Sequence, residues 1–210
     1  MYQLRMGYSS ESINQYGGQD CHETSLIIAI NCSVHCQDDI YRERMIEMGI
    51  FRSKSAKDTN EIPPICDIDI KRYLGTWYEI ARLPHAFEKG LDNVTAAYNL
   101  KGDGKIEVLN SGFKNGEKKM ARGVAWIPDE SCTGKLLVSF FWPFKSEYKI
   151  IKLDEENYSY AVVTSSVKDY LWILSREPKI SNELFNDLIS YASAQGFDVT
   201  KVIRVIQNSN

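Results

Sequence analysis

GTWYEIAR, at residues 75–82, is the stretch that decides the fold. Gly75 lacks a Cβ, so the backbone can approach a neighbour closely where this segment begins. Trp77 carries the largest apolar side chain available, and its indole N–H needs one hydrogen-bond partner. The residues that follow alternate as in a strand and not as in a helix. The stretch therefore predicts a first strand whose tryptophan plugs the floor of a closed barrel.

Seven further runs rich in apolar or β-branched residues follow at nearly even spacing, and turn residues separate them. They cover residues 94–100, 105–110, 118–127, 135–141, 147–153, 158–165 and 170–175. The pair Asn115-Gly116 suits a hairpin turn with positive φ. Short connections between consecutive strands predict an antiparallel meander. Eight such strands predict an all-β, closed up-and-down barrel whose lumen can hold one small ligand.

Elements outside the barrel are predicted at both of its ends. Residues 67–73 suit a short helical turn that leads into Gly75. Ser181 can cap a C-terminal helix that runs to about residue 194 and stops at Gly196. Apolar residues recur on one side of this helix, which predicts that it packs on the outer wall: Leu184, Phe185, Leu188, Ile189 and Ala192. Residues 199–206 suit a ninth strand that pairs at an edge.

Composition divides the chain into two parts. Of the 210 residues, 43% are hydrophobic and 25% charged, which is typical of a globular protein. The formal net charge of −3 offers no basic face for nucleic acid. All four tryptophans follow residue 65. We therefore expect a barrel domain at 63–207, preceded by a largely disordered extension at 1–62 that could form a short helix near 38–50.

The N-terminal extension has no convincing signal or anchor. Its apolar run at residues 26–30 is shorter than a usual signal core and follows acidic residues. Cysteines and histidines at positions 21, 22, 32, 35 and 36 lack the paired Cys-x-x-Cys spacing of zinc sites. No metal site and no cofactor are expected. The compartment stays open, and so does the state of Cys66 and Cys132, the two cysteines of the barrel domain.

Three short motifs, in this order and at plausible separations, resemble the signature regions of the lipocalin family: Gly75-x-Trp77, KDY at 168–170, and Arg176. Longer runs are similar to bacterial members of that family: LGTWYEIARLP, VSFFWPF, DYLWILSR and GFDVTK. The resemblance covers residues 66–207. Lys168 departs from the Thr or Arg that the family usually has there. Bacterial relatives usually begin with a lipoprotein signal and a lipidated cysteine, which this leader does not convincingly supply.

The resemblance implies a lipid carrier of the cell envelope or outer membrane, with a fatty acid or a lysophospholipid as ligand. It also implies that Trp77 and Arg176 meet at the closed end, guanidinium over indole, in a contact of about 0.5–2 kcal/mol. Structural, barrel-closing roles are expected for five residues: Gly75, Trp77, Asp169, Tyr170 and Arg176.

Strand alternation suggests which side chains line the pocket. Counting inward from Trp77 gives Glu79 and Ala81. On the other strands, aromatic or uncharged polar residues within apolar runs are the candidates for ligand contact: Tyr98, Asn110, Phe140, Tyr148 and Trp172. Glu79 and Asn110 could contact a lipid head group. A buried Glu79 is expected to be neutral or hydrogen-bonded, not catalytic.

Two other functions remain as alternatives. His85 lies in the first long loop, where Glu88 could orient it, so a lipid hydrolase is conceivable. However, the sequence has no Gly-x-Ser-x-Gly, His-Glu-x-x-His or phosphate-loop motif, and we expect no enzyme. The aromatic run at 141–144 either covers the barrel mouth or contacts a partner. That partner would be a membrane surface or a second subunit in a homodimer, which makes an interaction module the second alternative.

Overall fold

A computed structural model of the chain describes residues 61–208. The predicted helix near 38–50 and the N-terminal cysteines and histidines therefore lie outside the described residues. In chain order the elements are α1 (Ile70–Tyr73), β1 (Gly75–Arg82), a 3₁₀ turn (Ala86–Glu88), β2 (Asp92–Leu100), β3 (Ile106–Lys114), β4 (Glu117–Trp126), β5 (Lys135–Phe141), β6 (Phe144–Leu153), β7 (Tyr160–Thr164), β8 (Leu171–Ser175), α2 (Asn182–Ala194), a 3₁₀ turn (Val199–Lys201) and β9 (Ile203–Arg204). Neither of these two helices is long and apolar enough to cross a membrane.

The eight main strands form one closed barrel. Each strand from β2 to β7 pairs antiparallel with the next strand in the chain, β8 pairs with β1, and β1 pairs with β2. This ring confirms the predicted eight-stranded, antiparallel, up-and-down barrel. Asn115 and Gly116, at the β3–β4 turn, have φ of 53° and 80°. The hairpin turn predicted from the Asn-Gly pair is therefore confirmed.

Two apolar clusters lie on opposite faces of the barrel wall. The inner cluster fills the closed half of the barrel and includes Trp77, Leu136 and Ile150. The outer cluster joins the wall to α2, whose Leu188 and Ala192 are fully buried. The side chain of Ser181 accepts a hydrogen bond from the N–H of Leu184 at 3.1 Å, so it caps α2 as predicted.

The C-terminal segment differs from the prediction. Residues 199–206 do not form one long strand, because Val199–Lys201 is a 3₁₀ turn and β9 spans only Ile203–Arg204. β1 pairs with β2 only over residues 75–78. Beyond that point the side-chain amide of Gln207 donates hydrogen bonds to the carbonyls of Glu79 and Val94, both at 2.9 Å. The segment around Gln207 therefore bridges the upper part of the β1–β2 seam.

Residues 65–69 cross the closed end of the barrel and are fastened to the β4–β5 loop. Cys66 and Cys132 form a disulfide. The N–H of Ile65 donates to the carbonyl of Ile150 at 2.8 Å, and the hydroxyl of Thr133 donates to the carbonyl of Ile68 at 2.8 Å. These bonds order the entry to α1 before the first strand begins.

Replacing Gly134 by alanine is expected to loosen this attachment. A Cβ at Gly134 would lie 1.9 Å from the carbonyl oxygen of Ile65, so the crossing segment would have to move. Overpacking of this kind lowers the free energy of unfolding by about 1–3 kcal/mol. Urea unfolding of Gly134→Ala measures the loss. Gly102→Ala is the matched control, since nothing lies within 4 Å of its added Cβ. Equal unfolding midpoints for the two variants would contradict the prediction.

Candidate functional site

The closed end of the barrel is stopped by Trp77. Its side chain is fully buried, and its indole N–H donates to the carbonyl of Tyr73 at 2.8 Å. The guanidinium carbon of Arg176 lies 3.8 Å from the centre of the indole ring, as the resemblance implied. Gly75 has φ of +93°, and a Cβ there would lie 3.4 Å from Nη1 of Arg176. The positive φ therefore favours glycine at this position, while the guanidinium beside it leaves room for a Cβ at an ordinary contact distance.

Arg176 also holds the backbone beneath the barrel. Its guanidinium donates hydrogen bonds to five carbonyls at 2.8–3.3 Å, those of Arg72, Tyr73, Leu74, Thr76 and Tyr158. Asp169 and Tyr170 do not belong to this end, contrary to the expected barrel-closing role. They precede β8, and β8 runs from the open end to the closed end. Tyr170 instead stacks on Trp172, with ring centres 5.8 Å apart.

Three tyrosine hydroxyls meet above the stopper. The hydroxyls of Tyr73 and Tyr148 are 2.6 Å apart, and Tyr98 donates to Tyr148 at 3.0 Å. Burial raises the pKa of Tyr98 to about 12 and raises the pKa values of the other two phenols well above their ordinary range. The deep part of the lumen is therefore apolar, with neutral hydroxyl groups that satisfy one another.

Asn110 supplies an unsatisfied polar atom on the inner face. It lies opposite Ala96 on β2 and Ala121 on β4, and it is two residues from Val108 of the inner cluster. Its side-chain oxygen is buried and has no hydrogen-bond partner among residues 61–208. A buried acceptor without a donor is unfavourable by about 1–3 kcal/mol. A ligand with a hydroxyl, amide or protonated carboxyl group could supply that donor.

A buried ionic group lies toward the mouth, where β1 ends. Arg82 donates from Nη1 to Oε1 of Glu79 at 2.6 Å. From Nη2 it donates to the carbonyls of Glu88 and Leu91, at 2.7 and 3.3 Å. Because both carbonyls belong to the loop at residues 83–91, Arg82 fastens this loop to the inner wall.

The side chain of Glu88 extends from the loop to the barrel wall. Its Oε2 accepts a hydrogen bond from the indole N–H of Trp172 at 3.1 Å. The same oxygen lies 3.0 Å from Nε2 of His85, so the two side chains are in contact. The contact lies off the direction of a ring N–H, however, and neither ring nitrogen of His85 forms a hydrogen bond. The His85 ring stacks on Phe87, with centres 3.9 Å apart.

The buried group of Arg82, Glu79 and Glu88 approaches charge balance because the pKa of Glu79 is raised. Burial, followed by the nearby Glu88 carboxylate, raises the pKa of Glu79 from 4.5 to about 8, against the lowering effect of Arg82. Near neutral pH one guanidinium thus faces two carboxyl groups, of which Glu79 is largely protonated. A neutral carboxyl group can donate a hydrogen bond as well as accept one. Within residues 61–208 no cluster of His, Cys, Asp and Glu is arranged to hold a metal ion.

The six predicted ligand-binding residues all belong to the inner face of the barrel. Tyr98 and Tyr148 lie deep, near the stopper, while Glu79 and Trp172 lie toward the mouth. Phe140 follows Val138 by two residues and lies against Gly123, and this residue is 46% exposed at the rim. Asn110 completes the set. The structure thus places these residues on one inner face, and their contact with ligand stays a prediction.

Strict alternation fails at one position of β1. Between Glu79 and Ala81 the pairing with β8 shifts by one residue, so Ile80 is an extra residue in the strand. Ala81 therefore packs in the outer cluster and not in the lumen, where it was predicted. The same bulge turns Arg82 inward. The sequence interpretation missed Arg82, because strict alternation places a residue three positions after Glu79 on the opposite face of the strand.

The comparisons with known proteins agree with this architecture. The lipocalin-like domain family matches residues 68–207. Outer membrane lipoprotein Blc of Vibrio cholerae is 45% identical over 148 residues, which is 70% of this chain and 86% of that protein. The Blc protein of Escherichia coli K12 is 47% identical over 143 residues, or 67% of this chain and 80% of that protein. Apolipoprotein D of Bos taurus is 32% identical over 148 residues, or 67% and 78%.

Solved structures show the same fold at low identity. Insecticyanin of the tobacco hornworm Manduca sexta matches with a TM-score of 0.56 and 23% identity, over 69% of this chain and 84% of that one. Per a 4, a cockroach allergen, matches with a TM-score of 0.56 and 19% identity, over 70% and 92%. The chain therefore belongs to the lipocalin family, and this membership supports the binding and transport of a small hydrophobic ligand.

Proposed function

We propose that the chain is a carrier that holds one fatty acid or lysophospholipid in its barrel, and that it is not an enzyme. The observation that carries this proposal is the polarity of the lumen, which is closed and apolar at one end and ionic at the other. An amphiphile fits this gradient with its acyl chain toward Tyr98 and Tyr148. Its head group then lies near Glu79 and Arg82. Lipocalins are generally binding proteins, which supports a carrier.

The proposed contacts follow from the chemistry of each position. Phe140 and Trp172 offer flat apolar surface to the upper part of an acyl chain. A carboxylate or phosphate group of the ligand would meet the guanidinium of Arg82 and the protonated carboxyl of Glu79. The unsatisfied oxygen of Asn110 would accept a hydrogen bond from a hydroxyl group of the ligand. A fatty acid and a lysophospholipid both present an anionic group, and the lysophospholipid adds a hydroxyl.

We place this carrier in the cell envelope. The relatives at 45% and 47% identity are named as outer membrane lipoproteins. The disulfide between Cys66 and Cys132 supports an oxidising compartment such as the periplasm, where disulfides form and persist. Lipid storage or transport during envelope maintenance is the role that this location favours.

Filling the lumen is expected to remove ligand binding, because the acyl chain and an added ring would compete for one space. Ala96 and Ala97 are adjacent on β2, and only Ala96 packs against the inner cluster. Ala96→Phe should weaken binding of a fluorescent fatty acid by at least about tenfold, or 1.4 kcal/mol. Fluorescence titration of the delipidated protein measures this change.

Ala97→Phe is the matched control, since it adds the same ring to the outer face of the same strand. Circular dichroism checks that both variants fold. Unchanged affinity in Ala96→Phe would refute binding in the lumen. Native mass spectrometry of protein from its own source identifies the lipid.

The hydrolase alternative has its own test, because His85 and Glu88 do lie together. The protein is incubated with lysophospholipid, and free fatty acid is measured. The carrier proposal expects no release. Release that disappears in His85→Ala would replace the carrier by an enzyme.

A further inference from the structure

Two neighbouring hairpins at the open end carry an unusual amount of exposed apolar surface. They are the β3–β4 hairpin at residues 113–120 and the β5–β6 hairpin at residues 140–145, here called the mouth hairpins. Of the eight large hydrophobic side chains that are exposed within residues 61–208, five lie on them: Phe113, Met120, Phe140, Phe141 and Trp142. Trp142 is 78% exposed and Phe141 is 60% exposed. Such a concentration of apolar side chains is typical of a contact surface.

The mouth hairpins are adjacent and ordered. β4 pairs with β5, and Phe140 of one hairpin strand lies against Gly123 of the other. Phe141 and Phe144 stack with ring centres 6.3 Å apart. The hydroxyl of Ser139 donates to the carbonyl of Phe144 at 2.6 Å, which fixes the turn. The aromatic tip is therefore presented by a defined hairpin at the barrel rim.

The charge of the mouth hairpins is opposite to that of the chain. Residues 113–120 and 140–145 contain four lysines, at positions 114, 118, 119 and 145, and one acidic residue, Glu117. Their net charge is therefore +3, whereas the whole chain carries −3. Glu117 is paired with Lys119 at 2.6 Å. Lysines that surround exposed Trp and Phe side chains are the composition of surfaces that bind anionic lipid.

We propose that the mouth hairpins dock the open end of the barrel onto an anionic lipid bilayer. Trp142 and Phe141 insert at the level of the lipid head groups, and the lysines contact lipid phosphates. Charge favours this partner over a second copy of the chain, because a symmetric dimer through this patch would bring two surfaces of +3 together. Docking goes beyond the carrier proposal, since it depends on Phe141, Trp142 and the lysines and not on what fills the lumen.

Vesicle binding of the full chain tests the proposal. Vesicles of phosphatidylcholine mixed with phosphatidylglycerol are compared with vesicles of phosphatidylcholine alone, and the bound fraction is measured by flotation. The protein should bind only the anionic vesicles. Trp142→Ser should weaken binding about tenfold through loss of the inserted ring. Lys118→Glu and Lys145→Glu should each weaken it at least about fivefold, and added salt should release the protein.

The closed end provides matched controls for both kinds of change. Leu100→Ser removes an apolar side chain that is 53% exposed, and Lys101→Glu reverses an exposed charge. Both variants should bind as the wild type does. Equal losses in these controls, or no binding of the wild type to anionic vesicles, would overturn the docking proposal. Neither result affects lumen binding, which the Ala96→Phe titration measures separately.

Two further measurements check how deeply Trp142 inserts into the bilayer and whether the protein is a monomer. Brominated lipid in the vesicles should quench part of the tryptophan fluorescence, and Trp142→Phe should lose that part while it still binds. Sedimentation of the wild type in the absence of lipid should give the same mass as that of Trp142→Ser. A dimer that Trp142→Ser converts to a monomer would assign the patch to a homodimer and overturn the proposal.

Discussion

Arg82→Met is expected to lower the free energy of unfolding by about 3–5 kcal/mol, because it leaves buried carboxyl groups without their cation. It also removes the donor that ties the carbonyls of Glu88 and Leu91 to the wall. Urea unfolding measures the loss. Arg122→Met is the control, since Arg122 pairs with Glu107 at the surface and its side chain is 68% exposed. Removing such a surface pair should change stability by about 1 kcal/mol or less.

The pH dependence of the free energy of unfolding tests whether Glu79 is the group that titrates in the buried cluster. The pKa of Glu79 is raised in the folded state, so the folded protein binds more protons than the unfolded chain between pH 4.5 and about 8. The stabilisation that the raised pKa of Glu79 provides is therefore fully present below pH 4.5 and is lost as the pH rises toward about 8. Arg82→Met should extend this decline to higher pH, because it removes the cation that lowers the pKa of Glu79. Glu79→Gln should remove the decline, and a slope that survives in Glu79→Gln would contradict the assignment.

Arg176→Ala is expected to be comparably severe at the opposite end, with a loss of about 3–4 kcal/mol in the free energy of unfolding. The variant removes donors from five carbonyls and uncovers the indole of Trp77. Thermal and urea unfolding measure this change. Arg176→Lys keeps the charge but not the planar fork, so its loss should be intermediate.

Arg204→Ala is the matched control for the contact with the ring. The guanidinium carbon of Arg204 also lies 3.8 Å from an aromatic centre, that of Phe185. Its guanidinium donates one hydrogen bond within residues 61–208, to the side-chain oxygen of Asn182 at 3.3 Å, at an exposed site. Its loss should stay below about 1 kcal/mol. Equal losses in the free energy of unfolding for Arg176→Ala and Arg204→Ala would contradict the prediction, because the hydrogen bonds of Arg176 to backbone carbonyls would then add nothing to stability.

Local signals were enough to predict most of the fold. Strand alternation, Gly and Asn-Gly turns and the serine cap of α2 each depend on a few neighbouring residues. The inward positions of Tyr98, Tyr148 and Trp172 follow from the same period of two. These features could be predicted because the barrel wall is regular where they occur.

The remaining features depend on contacts distant in sequence. The bulge at Ile80 is defined only by the register of β1 against β8, so alternation could not place Ala81 or Arg82. β9 is short because it pairs only with the end of β1. The pairing of Cys66 with Cys132 depends on how the segment before α1 crosses the barrel, across a separation of 66 residues. The end of the barrel to which Asp169 and Tyr170 belong depends on the direction of β8.

The side-chain bridge made by Gln207 means that different pairs of neighbouring strands in the barrel are held together in different ways. To part β3 from β4, a fluctuation must break a ladder of nine residue pairs. Above the four pairs that join β1 to β2, the same widening has to release the two amide hydrogen bonds of Gln207. It also has to release the hydrogen bonds from the N–H of Val205 to the carbonyl of Ile80 and from the N–H of Asn93 to the carbonyl of Ile206. Opening the barrel beside Glu79 therefore requires the C-terminal segment to detach first.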